Sequence, residues 1–325
     1  MPGTGPHSDG GPHGDGGPRS DLEALRRAET ALPVAPPIAA IAEAARARHG
    51  AVAAVIFYGS CLRLGSDDGR IVDLYLVVDS YRAAYGFGLR AFMNWALPPN
   101  VFYLETPFEG RRVRAKYAVV SRADFAAGAG GRWFHPYLWA RFAQPCRLAW
   151  CRDEAARQAV VAGLAGAVRK CVAEGLALVG GGFEIGELWV ALFRQSYRSE
   201  LRAEPPERAS EIHAADAGHY LAVAEAVLPG LGARRVEGKA GWLSPAGARD
   251  AAGFKWALRR LQGKLLSMAR LAKAAFTFQG GADYLLWKIE RHSGVTVALT
   301  PWQRRHPLLA STVLFWRLYR RGAFR

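Results

Sequence analysis

Two short features of this chain have the residue types and spacing for phosphate chemistry. In FYGSCLRLGSDDGRIVDLYLVVD, residues 57–79, one apolar run ends in Gly59-Ser60, and Asp73 stands inside the next apolar run. A glycine lets the backbone turn tightly and approach a triphosphate closely, and a serine hydroxyl adds a hydrogen bond. A carboxylate on a rigid strand can hold Mg²⁺ between phosphates and an attacking oxygen. An acid between Val72 and Leu74 is costly to bury unless it is paired or metal-bound. The plainer reading of Asp73 is a strand-edge acid paired with an arginine.

The elements that would position these residues are legible in the hydrophobic pattern. AVAAVIFYG (51–59), RIVDLYLVVD (70–79), NVFYLE (100–105) and VRAKYAVVS (113–121) read as strands, with a helix-like stretch at 81–97. That alternation predicts a mixed α/β domain over 20–150, preceded by helices between 20 and 48 that Pro33, Pro36 and Pro37 interrupt. Beyond about 153 the periodicity is helical, at 153–179, 186–203, 208–228 and 247–275, with a short β-wing at 234–243. The expected organisation is therefore α/β followed by a mostly helical, winged-helix-like domain over 151–283, with the boundary in PCRLAWCRDE near 150. Residues 1–19 are Gly, Pro, His, Asp and Ser rich and read as a disordered tail. Residues 284–325 interleave Leu, Phe, Trp and Tyr with Arg317, Arg320, Arg321 and Arg325, which suits an anionic membrane interface. A terminal helix packing its apolar side on the domain is the alternative for that segment.

Composition narrows the class. The chain has 325 residues, half of them hydrophobic, enough for a sizeable core and about two domains. The formal net charge of +15 attracts polyanions, whether nucleic acid, anionic lipid or nucleoside triphosphate. No apolar run approaches the roughly 20 residues of a membrane span, and the N-terminus lacks a secretory pattern, so a cytoplasmic protein is expected. Cys61, Cys146, Cys151 and Cys171 lack zinc spacing and read as reduced, largely buried thiols. His135, His213, His219 and His292 lack metal-site spacing and read as surface or packing residues. No RNA-binding module signature is visible, so nucleic acid is not the expected partner.

The order Gly-Ser, then Asp-apolar-X, resembles the polymerase-β-like nucleotidyltransferase signature, in which a second carboxylate follows two residues after the first. Here that position is Tyr75. Asp79 is too far along the strand to substitute, since six strand residues span about 20 Å. Glu105 is the first choice for a second Mg²⁺ ligand beside Asp73, then Asp67 and Asp68.

Over roughly 57–280 the chain resembles the mitochondrial translocator assembly and maintenance family and its bacterial relatives, which are phosphatidate cytidylyltransferases. The resemblance lies in Y-G-S (58–60), VDLYLVVD (72–79), VFYLE (101–105), KYAVVS (116–121), LWARFAQPCRL (138–148), QSYRSELR (195–202) and KAAFTF (273–278). It implies CTP and phosphatidate as substrates, CDP-diacylglycerol and pyrophosphate as products, and a protein peripheral on the inner face of the cell membrane. It implies that Gly59 and Ser60 hold triphosphate and that Asp73 binds Mg²⁺. Lys116 and Arg141 would neutralise phosphate charge, with Tyr197, Arg202 and Lys273 as binding residues of the second domain. The family also carries an apolar residue where Tyr75 stands. It differs in having a W-H-x-x-N-L segment where this chain has SYRAAYGFGLRAFMNW; Tyr85 and Asn94 are candidate replacements for that histidine. Two other readings stay open: a nucleotidyltransferase with an RNA or other acceptor, and a non-catalytic nucleotide- or lipid-binding protein.

Overall fold

The computed structural model describes residues 18–201, 205, 207–237, 241–245 and 252–277. The described residues begin with helices α1 (Pro18–Ala31) and α2 (Pro36–Arg46). Prolines occupy the first turn of α2, where their missing N–H groups leave no bond unmade. There follow β1 (Val52–Tyr58), α3 (Ser60–Leu64), β2 (Val72–Val78), α4 (Tyr81–Tyr85), α5 (Leu89–Ala96), β3 (Asn100–Phe108) and β4 (Arg111–Ser121). Next come α6 (Arg122–Gly128), α7 (Trp139–Phe142) and β5 (Cys146–Cys151). The remaining elements are α8 (Glu154–Val179), β6 (Gly182–Phe183), α9 (Ile185–Arg198), α10 (Arg208–Ala215), α11 (Ala217–Glu225), β7 (Arg234–Arg235), β8 (Trp242–Leu243) and α12 (Ala252–Thr277).

The fold is α/β with a mixed five-stranded sheet in the order β3-β4-β2-β1-β5. Only β2 and β4 run parallel; the other neighbours are antiparallel. Because side chains alternate, each central strand feeds two cores. Val55, Phe57, Leu74, Leu76 and Val119 pack with Ile38 and Ile41 of α2 on one side. Ala54, Ile56, Tyr75, Val77 and Val120 pack on the other with Phe125, Phe142, Leu164 and Val168. This second cluster continues without a break through Trp189, Phe193, Tyr220 and Trp256, so the apolar core runs through the sequence on both sides of residue 150. Burying side chains of this size contributes about 1.5–3 kcal/mol apiece before chain entropy is set against it.

Several details differ from the sequence reading. The sequence pattern did not reveal β5, which closes the sheet against β1. Its run CRLAWC is short and only partly apolar, as an edge strand tolerates, and Asp153 directly after it caps α8 by accepting from the Ala156 N–H. The helical pattern at 208–228 is broken at Asp216, whose φ of −132° and ψ of 34° separate α10 from α11. The expected wing strands at 234–243 are the two-residue β7 and β8, joined by β6 in a three-stranded sheet. Of the tail expected at residues 1–19, residues 1–17 lie outside the described residues and Pro18 and Arg19 belong to α1, whose acidic first turn and amphipathic run start the helix earlier than expected; the C-terminal segment 284–325 also lies outside the described residues. No helix among the described residues is long and apolar enough to cross a membrane. All four cysteines are unbridged; Cys61, Cys146 and Cys171 are buried and Cys151 is half-buried.

Candidate functional site

The site begins where β1 ends. Gly59 adopts φ 87° and ψ −155°, a backbone conformation that disfavours any side chain. A Cβ there would lie 2.8 Å from Oδ2 of Asp73, so the glycine also makes room for that carboxylate. Ser60 then opens α3 and is half-buried. Asp73 faces Tyr58 across the antiparallel β1 pairing and Lys116 across the parallel β4 pairing. The Lys116 ammonium lies 3.3 Å from Oδ1 of Asp73, with the two side chains 40% and 22% exposed. Gly59, Asp73 and Lys116 therefore meet at the rim of the sheet, where solutes can reach them. The plainer expectation of an arginine partner for Asp73 gives way to a lysine supplied by register.

Two residues further along β2, the Tyr75 side chain is fully buried and its hydroxyl accepts from Nη1 of Arg141 at 3.0 Å. Arg141 is on α7, held in place by Trp139 and Phe142, which point into the core from the same short helix. Its guanidinium packs on the Tyr137 ring at 4.5 Å and lies 5.8 Å from the Tyr58 ring. Glu200 offers a carboxylate 3.8 Å away. Burial works against the charge of Arg141, but Tyr75, Tyr58, Tyr137 and Glu200 together outweigh it and hold the guanidinium protonated. Burial likewise pushes the Tyr75 hydroxyl well above its ordinary range. Tyr137 is shifted down instead: burial opposes its ionisation, and Arg141 and Arg270 prevail.

Glu105 is two strands away from Asp73. Register places Tyr103 opposite Lys116 and Glu105 opposite Arg114, so Lys116 and its strand intervene. The Glu105 carboxylate accepts from Tyr103, Arg112 and Arg114. Asp67 makes a forked pair with Arg111, and Asp68 is exposed beside it. Among the described residues, therefore, no second carboxylate is gathered at Asp73. No cluster of three or more metal-ligating side chains occurs among the described residues. The Mg²⁺ ion requires no such cluster, since it is commonly held by one or two carboxylates with substrate phosphates and water. Asp73, beside a glycine turn that leaves space at its oxygens, fits that arrangement.

The second-half candidates separate. Tyr197 on α9 is half-buried against the main apolar cluster. Arg202 lies outside the described residues. Lys273 on α12 is buried and donates to the carbonyls of Leu97 and Pro99 at 2.5 and 2.8 Å. Burial, helped by Arg270, pushes its ammonium down to about 7. Lys273 thus fastens α12 to the turn between α5 and β3. Asn94 serves the same turn, donating to the Val119 carbonyl and accepting from the Asn100 N–H. Tyr85 packs with His49 and Phe102 on the opposite side of the sheet. Neither reaches Asp73.

Sequence reasoning missed Tyr58, Tyr137, Glu200 and Arg270. Tyr58 directly precedes the Gly-Ser turn, and that adjacency was a usable signal. Arg270 precedes Lys273 by three residues, the spacing that puts two side chains on one helix face. No family model matches the chain, and no curated protein is significantly similar to it.

Proposed function

We propose that this protein is a nucleotidyltransferase that transfers the cytidylyl group of CTP to phosphatidate, forming CDP-diacylglycerol and pyrophosphate at a membrane surface. In this reading the five-stranded sheet belongs to the polymerase-β-like nucleotidyltransferase class, and α9 to α11 with the small sheet form a winged-helix-like unit. The observation that carries it is the Gly59 turn laid against the Asp73 carboxylate, with Lys116 in register beside both. The choice of CTP and phosphatidate rests on the ordered motif resemblance from Tyr58 to Lys273.

A phosphate oxygen of phosphatidate attacks the α-phosphorus of CTP. A new P–O bond forms as the bond to the bridging oxygen of the leaving pyrophosphate breaks. The turn after Gly59 and the Ser60 hydroxyl receive the terminal phosphates, and Asp73 holds Mg²⁺. Mg²⁺ held by Asp73 would offset the negative charge of the phosphate oxygens. Lys116, paired with Asp73, would supply a second positive charge at the same oxygens. Arg141 stays charged in a partly dry setting, where electrostatic stabilisation of a transferring phosphoryl group is strongest. Positioning and charge neutralisation supply the catalysis. The C-terminal segment 284–325 brings the protein to anionic lipid.

The test is CDP-diacylglycerol formation from radiolabelled CTP and phosphatidate vesicles in Mg²⁺, with tRNA as a rival acceptor and Asp73→Asn as control. We expect lipid product from the parent protein and a loss of at least about 10²-fold in the variant. Product on tRNA alone, or equal turnover by Asp73→Asn, rejects the proposal.

A further inference from the structure

The Tyr137 ring carries two guanidinium groups. Arg141 lies 4.5 Å from the ring centre and Arg270, from α12, lies 4.1 Å from it. Arg270 is oriented by its Nε–H, which donates to the Pro98 carbonyl at 3.1 Å. Its two terminal nitrogens meet no acceptor among the described residues. Glu200 is the carboxylate near the pair, 3.8 Å from Arg141. Among the described residues, two cations share one ring against one carboxylate, an excess of positive charge in a half-buried place. Such an arrangement is costly unless an anion completes it. Burial and the neighbouring Arg141 already weigh against the charge on Arg270.

The chemistry of that anion follows from the donors. Guanidinium forks match phosphate oxygens in pairs, and a phosphate monoester offers three such oxygens and nearly two negative charges. Position separates it from the triphosphate. Triphosphate is taken by the Gly59 turn and Asp73, whereas Arg141 is bonded to Tyr75, two residues and about 7 Å further along β2. Arg270 is also tied to the end of α5, where Phe92 and Trp95 are exposed, and Leu271 beside it is exposed as well. A phosphomonoester with apolar chains would find both its charge and its tails accommodated.

We propose that Arg141 and Arg270 form the subsite for the acceptor's phosphomonoester, and that Arg270 makes the protein prefer a monoester over a phosphodiester. The proposal rests on the nucleotidyl-transfer reading for the word acceptor, but the anion site can be measured apart from it.

The experiment uses the full chain with Arg270→Gln and Arg270→Lys. Binding of short-chain dihexanoyl phosphatidate, glycerol 3-phosphate, dihexanoyl phosphatidylglycerol and CTP with Mg²⁺ is measured by calorimetry, and folding by thermal melting. Arg270→Gln should weaken phosphatidate binding by about tenfold or more while CTP binding stays within about twofold. Arg270→Lys keeps a charge without the fork and should fall between the two; it decides the matter if the glutamine variant melts early. Phosphatidate should bind more tightly than phosphatidylglycerol in the parent and lose that advantage in the variants. Tighter binding of phosphatidate than of glycerol 3-phosphate identifies a lipid source; equal binding identifies phosphate alone. Unchanged phosphatidate binding in both variants, or an equal loss of CTP, overturns the subsite. Arg270-dependent monoester binding without any cytidylyl transfer would instead overturn the enzyme reading and leave the subsite standing.

Discussion

Gly59 shows how one missing methyl group sets a site. Its φ of 87° alone makes Gly59→Ala costly by about 1–2 kcal/mol, and the new Cβ would meet the Asp73 carboxylate at 2.8 Å. We expect Gly59→Ala to fold with a slightly lowered melting temperature and to lose at least about tenfold in kcat, because a displaced carboxylate misplaces whatever it holds. Unchanged kcat would separate the turn from the chemistry. The Gly-Ser turn and Asp73 were legible because glycine and a lone acid stand out in apolar strands. The partner of Asp73 was not, since Lys116 is 43 positions later and only the parallel β2–β4 register brings it alongside. The same register explains why Glu105, at the end of the adjacent strand candidate, is kept away: the sheet order puts β4 between β3 and β2.

At the scale of elements, α12 matters most for the cluster. It is fixed to α8 by Glu174, a buried carboxylate that accepts a forked pair from Arg259 at 2.6 and 2.7 Å and further bonds from Lys255 and Lys170. Burial opposes its ionisation, and the three cations hold its pKa down at about 2. Glu174→Gln leaves Arg259 buried without its countercharge and should destabilise the protein by about 3–5 kcal/mol in urea unfolding. A change below about 0.5 kcal/mol would mean that solvent already screens the network. Little of this was visible beforehand. Basic residues recur around α12 at Lys255, Arg259, Arg260, Lys264, Arg270 and Lys273, and no periodicity marks which are buried. Strands β1, β2 and β4, by contrast, were read nearly to their ends, because β-branched apolar runs have few other structures available, whereas β3 runs on to Phe108 and the partly apolar β5 was not anticipated.

Across the whole molecule, the half-buried His49 and the buried His135 couple stability to pH. Burial, with Arg48 and Arg90 nearby, pushes His49 down to about 4; burial, with Arg270 nearby, pushes His135 down to about 3. The folded chain therefore keeps both rings neutral where the unfolded chain takes up protons near 6.5. The unfolded state binds more protons between those values, so stability should be level above about pH 6.5 and fall as the pH drops toward 4. Urea midpoints at pH 7.5, 6 and 5 measure this, and His49→Gln should flatten part of the slope. An unchanged slope in that variant assigns the effect to His135 and other groups. Glu174 acts between its ordinary value of 4.5 and about 2, so between pH 6.5 and 4.5 the histidines act without it.

The cluster on Tyr137 draws on α7 and on α12, and α12 is tied to the turn before β3 by Arg270 and Lys273. Its members thus come from positions as far apart in the chain as Tyr137 and Arg270. During synthesis, with N-terminal parts emerging first, the sheet with Gly59, Asp73 and Lys116 can form well before Arg270 has left the ribosome. A nascent chain would pass through a stage with Gly59, Asp73 and Lys116 in place and its second guanidinium missing, so the proposed anion site is complete only once α12 has emerged.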